Sequence, residues 1–132
     1  MSPTRAPWSV ANRIGFVIAG VFSLANIPSA LAPTPDGAIG PPLPALLADT
    51  VLAVIAVVCV VVAWITRQRV PARIAGTAVV LIALTGFPAF FVDVPAFVKV
   101  LVAASALVAV AACALILTPA RQQAAMRAQA RP

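Results

Sequence analysis

The chain has 132 residues, of which 63% are hydrophobic and 9% are charged, and its formal net charge is +6. A soluble domain carries roughly a quarter of its residues as charged side chains and could not keep so much apolar surface out of water. This composition therefore excludes a soluble domain and predicts an all-α membrane protein, because helices satisfy their own backbone groups in lipid.

The first predicted span covers residues 14–32 and follows a short basic leader with Trp8, a residue suited to the membrane interface. Gly15, Ala19 and Ser23 recur every four residues in this span. Such a stripe of small side chains is typical of helices that approach each other closely in lipid.

The same stretch has an alternative interpretation as a cleaved signal peptide. A basic leader, an apolar run and Ala30-Leu31-Ala32 before a loop form a possible cleavage site. Pro33 would directly follow the cut, which is a poor context for cleavage, and the apolar run nearly reaches spanning length. We therefore predict a retained helix.

Three further apolar runs are long enough to cross a hydrocarbon core of roughly 30 Å. The predicted single domain 1–132 thus has spans at 14–32, 45–65, 74–92 and 96–117, an outer loop at 33–44, an inner loop at 66–73 and a basic tail at 118–132. We expect Pro44 in the first turn of the second helix, Pro71 to separate the second and third helices, and Asp93 to cap the fourth.

The charges predict an orientation. All eight arginines fall on one side of this topology, and the three aspartates and Lys99 fall on the other. Arginine-rich connectors belong on the cytoplasmic side of a membrane. The sequence therefore predicts four transmembrane helices packed as two antiparallel hairpins, with both termini cytoplasmic, in a bacterial inner (plasma) membrane.

The two hairpins resemble each other weakly. A shift of sixty residues aligns Arg13-Ile14 with Arg73-Ile74 and Pro28 with Pro88. Low-complexity apolar sequence produces such matches easily, so both a true duplication and a coincidence stay open.

Ionisable or strongly polar side chains within spans are the default functional candidates, because they are costly to place in lipid. Asp49 and Lys99 lie about one turn from the outer helix ends, where a structural role as interfacial residues, paired across the second and fourth helices, competes with a substrate or proton site. Asn26 lies deeper, and we expect it to make an interhelical hydrogen bond, with a ligand contact as the alternative.

The residue types that are missing narrow the chemistry. The chain has no histidine, tyrosine or glutamate, which removes the commonest general base and metal ligand. Cys59 and Cys113 are isolated in apolar runs, so no metal or redox motif is indicated. We predict no enzymatic activity, no catalytic residue, no cofactor and no metal site.

The chain is similar in length and helix count to the small multidrug resistance transporters. Those proteins exchange protons for cationic drugs through a glutamate in their first helix, and this chain has no glutamate. The residue that would carry that chemistry is therefore missing.

The sequence favours a non-enzymatic accessory or structural membrane subunit. The expected partners are anionic head groups at the cytoplasmic face, and another membrane protein or a second copy of the chain, but no nucleic acid. A small oligomeric transporter or channel is the alternative. It would need a polar path, and the central thirds of the second and fourth spans offer almost none.

Overall fold

Four α-helices make up most of the structure, a computed structural model that describes residues 7–32, 34–119, 125 and 128–131. The helices are α1 (Val10–Asn26), α2 (Leu43–Thr66), α3 (Arg69–Thr85) and α4 (Ala96–Leu117). A 3-10 turn extends α1 (Ile27–Leu31) and another follows α3 (Phe87–Phe90). These ranges contain no strand.

Each helix is long and apolar enough to cross a membrane, when α1 and α3 are counted together with their 3-10 turns. Large apolar side chains lie exposed around the outside of all four helices. Water would penalise such a surface, whereas lipid chains solvate it. The prediction of an all-helical chain with four helices capable of crossing a membrane is confirmed for the described residues.

Each helix packs against two neighbours in a ring: α1 against α2, α2 against α3, α3 against α4, and α4 against α1. α1 and α3 also meet across the middle of the ring, whereas α2 and α4 make no contact within the described residues. The described core is largely alanine, because small side chains let helix backbones approach closely in lipid. Its members are Phe16, Ala19, Ala56, Val60, Ala63, Ala72, Ala75, Ala78, Val79, Ala109, Ala112 and Ile116.

Three helices begin earlier than predicted: α2 by two residues, α1 by four and α3 by five. α1 starts at Val10 instead of residue 14, because Ser9 caps it by accepting a hydrogen bond from the backbone N–H of Asn12. α3 starts at Arg69 instead of residue 74, and Pro71 lies in its first turn, where no backbone N–H is needed.

Most of the predicted inner loop 66–73 is helical, since only residues 67 and 68 separate α2 from α3. Arg67 makes this short connection possible by adopting a left-handed conformation with φ of 54°. Pro44 lies in the first turn of α2, as predicted.

The prediction that Asp93 caps α4 is wrong. Pro95 occupies the position before the helix, and no side chain caps it. The ring of Pro95 holds φ at −53°, so the chain enters the helix without help from Asp93. Most of the predicted tail 118–132 lies outside the described residues.

The first and second halves of the bundle bury corresponding positions. Asn12, Gly15, Phe16 and Ala19 are buried in α1, and the residues sixty positions later, Ala72, Ala75, Gly76 and Val79, are buried in α3. Both helices then pass into a 3-10 turn whose second residue is proline, Pro28 or Pro88. α1 and α3 therefore occupy equivalent places in the ring.

Candidate functional site at the basic end of the bundle

One end of the bundle gathers the described arginines of the helices and the short connector. α1 and α3 begin there, and α2 and α4 end there, as hydrogen bonds from Trp8 to Ala63 and from Asn12 to Ile116 demonstrate. Four exposed arginines lie at this end, which we call the basic end: Arg13, Arg67, Arg69 and Arg73. The described segments that carry the three aspartates lie towards the opposite end.

Asn12 joins the start of α1 to the finish of α4. Its side chain is 1% exposed, and its Nδ2 donates to the backbone carbonyls of Leu115 (2.9 Å), Ile116 (2.8 Å) and Thr118 (3.2 Å). The last carbonyls of a helix have no partner within the helix and must be satisfied from outside. Asn12 therefore caps α4 from a neighbouring helix and at the same time fixes the two helices to each other.

Trp8 makes the equivalent connection to α2. Its indole Nε1 donates to the carbonyl of Ala63 at 2.9 Å. Its ring meets the edge of Phe16 at a centroid distance of 5.0 Å, and Phe16 in turn meets Trp64 at 6.1 Å. These contacts fix the position of the indole at the basic end of the bundle.

A cavity of about 220 Å³ opens beside Trp8 between the start of α3 and the finish of α4. Its lining combines two arginines with apolar side chains: Trp8, Arg69, Ala72, Arg73, Ile116 and Leu117. Under the sixty-residue shift, Trp8 corresponds to Gln68, which is exposed, and Asn12 corresponds to Ala72, which is short. At these two positions the second half therefore has an exposed glutamine and a short alanine in place of the tryptophan and asparagine of the first half.

Asn26, a residue predicted to bond between helices, bonds within its own helix. Its Nδ2 donates to the backbone carbonyl of Phe22 at 2.7 Å. The backbone carbonyl of Asn26 accepts a hydrogen bond from the hydroxyl of Ser29. The polar link between helices nearby is made by Thr50 of α2 instead. Its Oγ1 lies 3.1 Å from the carbonyl of Ile27, to which it can donate, and it accepts from the N–H of Ala30 at 3.3 Å.

Asp49 and Lys99 are not brought together. Asp49 accepts a 2.6 Å hydrogen bond from the hydroxyl of Thr85, which joins α2 to α3. Lys99 lies half-buried on α4, and α2 and α4 are diagonal in the ring. The predicted pairing across the second and fourth helices is therefore replaced by the Asp49–Thr85 bond.

Ser23 and the cysteines lie along the packed faces. Ser23 is 0% exposed, and its hydroxyl has no hydrogen-bond partner within the described part of the chain. Cys59 and Cys113 are half-buried free thiols, and Cys113 packs against Gly76. The described residues contain no group of cysteine and aspartate side chains that could hold a metal ion.

Sequence reasoning missed Asn12, although a signal was present. Asn12 lies three residues before Gly15, so it extends the stripe of small residues back by one turn, and it follows Ser9 at the spacing of a helix cap. Placing the helix start at residue 14 assigned Asn12 to the polar leader.

The chain matches no family model, no curated protein and no solved structure.

Proposed function

We propose that the chain is a non-enzymatic accessory or structural subunit of a bacterial inner membrane, which binds another membrane protein or organises lipid. Its basic end lies on the cytoplasmic side, against anionic head groups. The helices form two antiparallel hairpins, α1–α2 and α3–α4, and both chain termini are cytoplasmic.

The observation that carries this proposal is the separation of charge along the bundle. Arg13, Arg67, Arg69 and Arg73 are exposed at one end, and no ion pair neutralises them within the described residues. Anionic lipids of the cytoplasmic leaflet attract such arginines, and the same arginines resist transfer across the membrane. The positive charge of the basic end therefore accounts both for the proposed orientation of the bundle and for its proposed contact with anionic lipid.

The polar groups at depth support a structural role. Asn12 caps α4, Asp49 accepts a hydrogen bond from Thr85, and Thr50 bonds to the end of α1. Each of these groups ties one helix to another, which is the common use of polar side chains in lipid. Their hydrogen-bonding capacity is thus used in assembling the bundle.

Small residues support the close packing of the ring. A Cβ added at Gly15 would lie 2.8 Å from the backbone nitrogen of Ile116. At Gly76 it would lie 3.2 Å from the Sγ of Cys113. Both glycines therefore bring α4 close to its two neighbours, as small residues do at membrane helix contacts.

A measurement of ion flux distinguishes this proposal from the alternative that the chain is a transporter or channel. Proteoliposomes that contain the full chain are loaded with a pH gradient and a membrane potential, and the decay of each gradient is compared with that in empty vesicles. A structural subunit leaves both decay rates unchanged. Faster decay that is abolished by Asp49→Asn or Lys99→Met would overturn the proposal. The Asp49→Asn change keeps a side-chain oxygen that can accept from Thr85, so we expect this variant to keep the fold.

Crosslinking in native membranes tests the partner. A subunit of another assembly gives a discrete adduct with a second membrane protein, and the adduct persists in the Asp49→Asn variant. A ladder made only of copies of this chain contradicts the accessory role and favours the oligomeric alternative.

A further inference from the structure

The cavity at the basic end holds two arginines beside apolar walls. Arg69 and Arg73 are four residues apart, so they lie on the same face of α3. Ala72, Ile116 and Leu117 supply apolar lining. A ligand that fits here carries negative charge on one side and hydrocarbon on the other.

Arg69 is partly oriented by the indole of Trp8. Its guanidinium carbon lies 5.8 Å from the centre of the Trp8 ring, within the range of a cation–π contact. The indole is itself held by its hydrogen bond to Ala63 and by Phe16. One guanidinium of the pair is therefore placed at the cavity before any ligand arrives, which lowers the ordering cost of binding.

No side chain of this chain supplies the counter-charge. Its only acidic residues are Asp36, Asp49 and Asp93. Asp49 bonds to Thr85 near the far end of α3, and Asp36 and Asp93 lie in the connections at that same end. No aspartate of this chain can therefore be the counter-ion of Arg69 and Arg73.

The backbone around the cavity also favours an anion. α3 begins at Arg69, so the free N–H groups of its first turn and the positive end of its dipole point to this region. The carbonyls at the end of α4 would repel an anion, but Asn12 donates to three of them. The charged side chains that line the cavity are two guanidinium groups, and the nearby carbonyls of α4 already have a donor.

We propose that this cavity binds the phosphate group of an anionic phospholipid, with Arg69 and Arg73 donating to the phosphate oxygens and Ile116 and Leu117 contacting the glycerol and upper acyl chain. Guanidinium forks match phosphate geometry, and basic pockets between membrane helices bind lipid head groups. A volume of about 220 Å³ accommodates a head-group phosphate and is smaller than a drug-sized pocket. This assignment rests on the proposed contact of the basic end with lipid.

Native mass spectrometry of the full chain in a non-ionic detergent tests the proposal. The protein is titrated with phosphatidylglycerol, with phosphatidylcholine and, in a separate arm, with inorganic phosphate. The test variant is Arg69→Gln/Arg73→Gln. The control variant, Arg13→Gln/Arg67→Gln, removes the same charge from exposed residues of the same end that do not line the cavity.

We expect one phosphatidylglycerol to bind in preference to phosphatidylcholine. The cavity variant should bind it about tenfold more weakly, and the control variant less than about threefold, because screening weakens distant charges at physiological salt. Equal losses in the two variants would overturn the site while leaving a diffuse lipid contact in place. Binding of inorganic phosphate without any lipid preference would overturn the lipid assignment, and no preference for any anion would contradict the head-group contact itself.

Discussion

The side-chain amide of Asn12 donates to the backbone carbonyl of Ile116 at 2.8 Å, across 104 residues of sequence. This bond and its two neighbours attach the beginning of the first helix to the finish of the last. The ring of four helices is closed by this contact, because α1 and α4 are joined by no loop. The closure predicts which substitutions open the bundle.

Replacing Asn12 by alanine should lower the free energy of unfolding by about 1–3 kcal/mol, because three backbone carbonyls lose their donor in a buried place. Unfolding in mixed micelles with increasing denaturing detergent measures the difference. Asn26→Ala is the matched control, since Asn26 bonds only within its own helix segment among the described contacts, and it should cost less than about 1 kcal/mol. Equal costs for the two variants would show that Asn12 does not close the ring.

Gly15→Ala should destabilise the contact between α1 and α4. The new methyl group would lie 2.8 Å from the nitrogen of Ile116 and 2.9 Å from the Cβ of Leu115, so two backbones must separate. The expected loss is about 1–3 kcal/mol, as for other overpacked sites.

Gly20→Ala on the same helix is the control for Gly15→Ala. The nearest atom to its added Cβ is Cγ1 of Val60 at 3.9 Å, an ordinary contact. We expect it to unfold at the same detergent fraction as the parent chain or slightly later, because alanine favours a helix over glycine. Comparable destabilisation by the two substitutions would contradict the packing of α1 on α4.

Ser23→Ala should leave stability unchanged or raise it by about 1 kcal/mol. The hydroxyl of Ser23 is buried without a partner among the described residues, so its removal relieves a desolvated polar group. Ser105→Ala, whose hydroxyl bonds to the carbonyl of Leu101, serves for comparison. A clear loss of stability in Ser23→Ala, measured by the same unfolding assay, would show that this hydroxyl has a partner in the membrane.

Thr85→Val should weaken the contact between α2 and α3 by about 1–2 kcal/mol. Valine preserves the shape of threonine but removes the donor to Asp49, which leaves a carboxyl group without that bond inside a membrane helix. Thr77→Val on the same helix is the control, because the hydroxyl of Thr77 bonds only to the carbonyl of Arg73 in its own helix among the described contacts. If the two variants unfold alike, the Asp49–Thr85 bond contributes nothing to the ring.

Apolar length alone predicted the four helices, because a membrane span needs a fixed number of hydrophobic residues. The first residues of α1 and α3 were not predictable by that rule, since both helices begin in polar sequence. The capping of α1 by Ser9 and the compatibility of Pro71 with a first turn decide those starts.

The candidate site could be predicted only in part. The clustering of arginines at one end follows from topology, but the cavity depends on which neighbour each helix meets. Asn12, Trp8 and Ile116 are far apart in sequence, and nothing in their spacing indicates that they meet. The sequence places Asp49 and Lys99 at outer helix ends and so suggests that they pair. The ring places α2 beside α3 and diagonal to α4, so Asp49 bonds to Thr85 instead.

The placement of the two chain termini tests the central claim most directly. Reporter domains that act only in the cytoplasm or only outside it are fused in turn to each end of the full chain and expressed in a bacterial host. Because the described arginines of the helices and the short connector gather at one end of the bundle, we predict that both termini report the cytoplasm. Termini on opposite sides of the membrane, or both outside, would contradict the account.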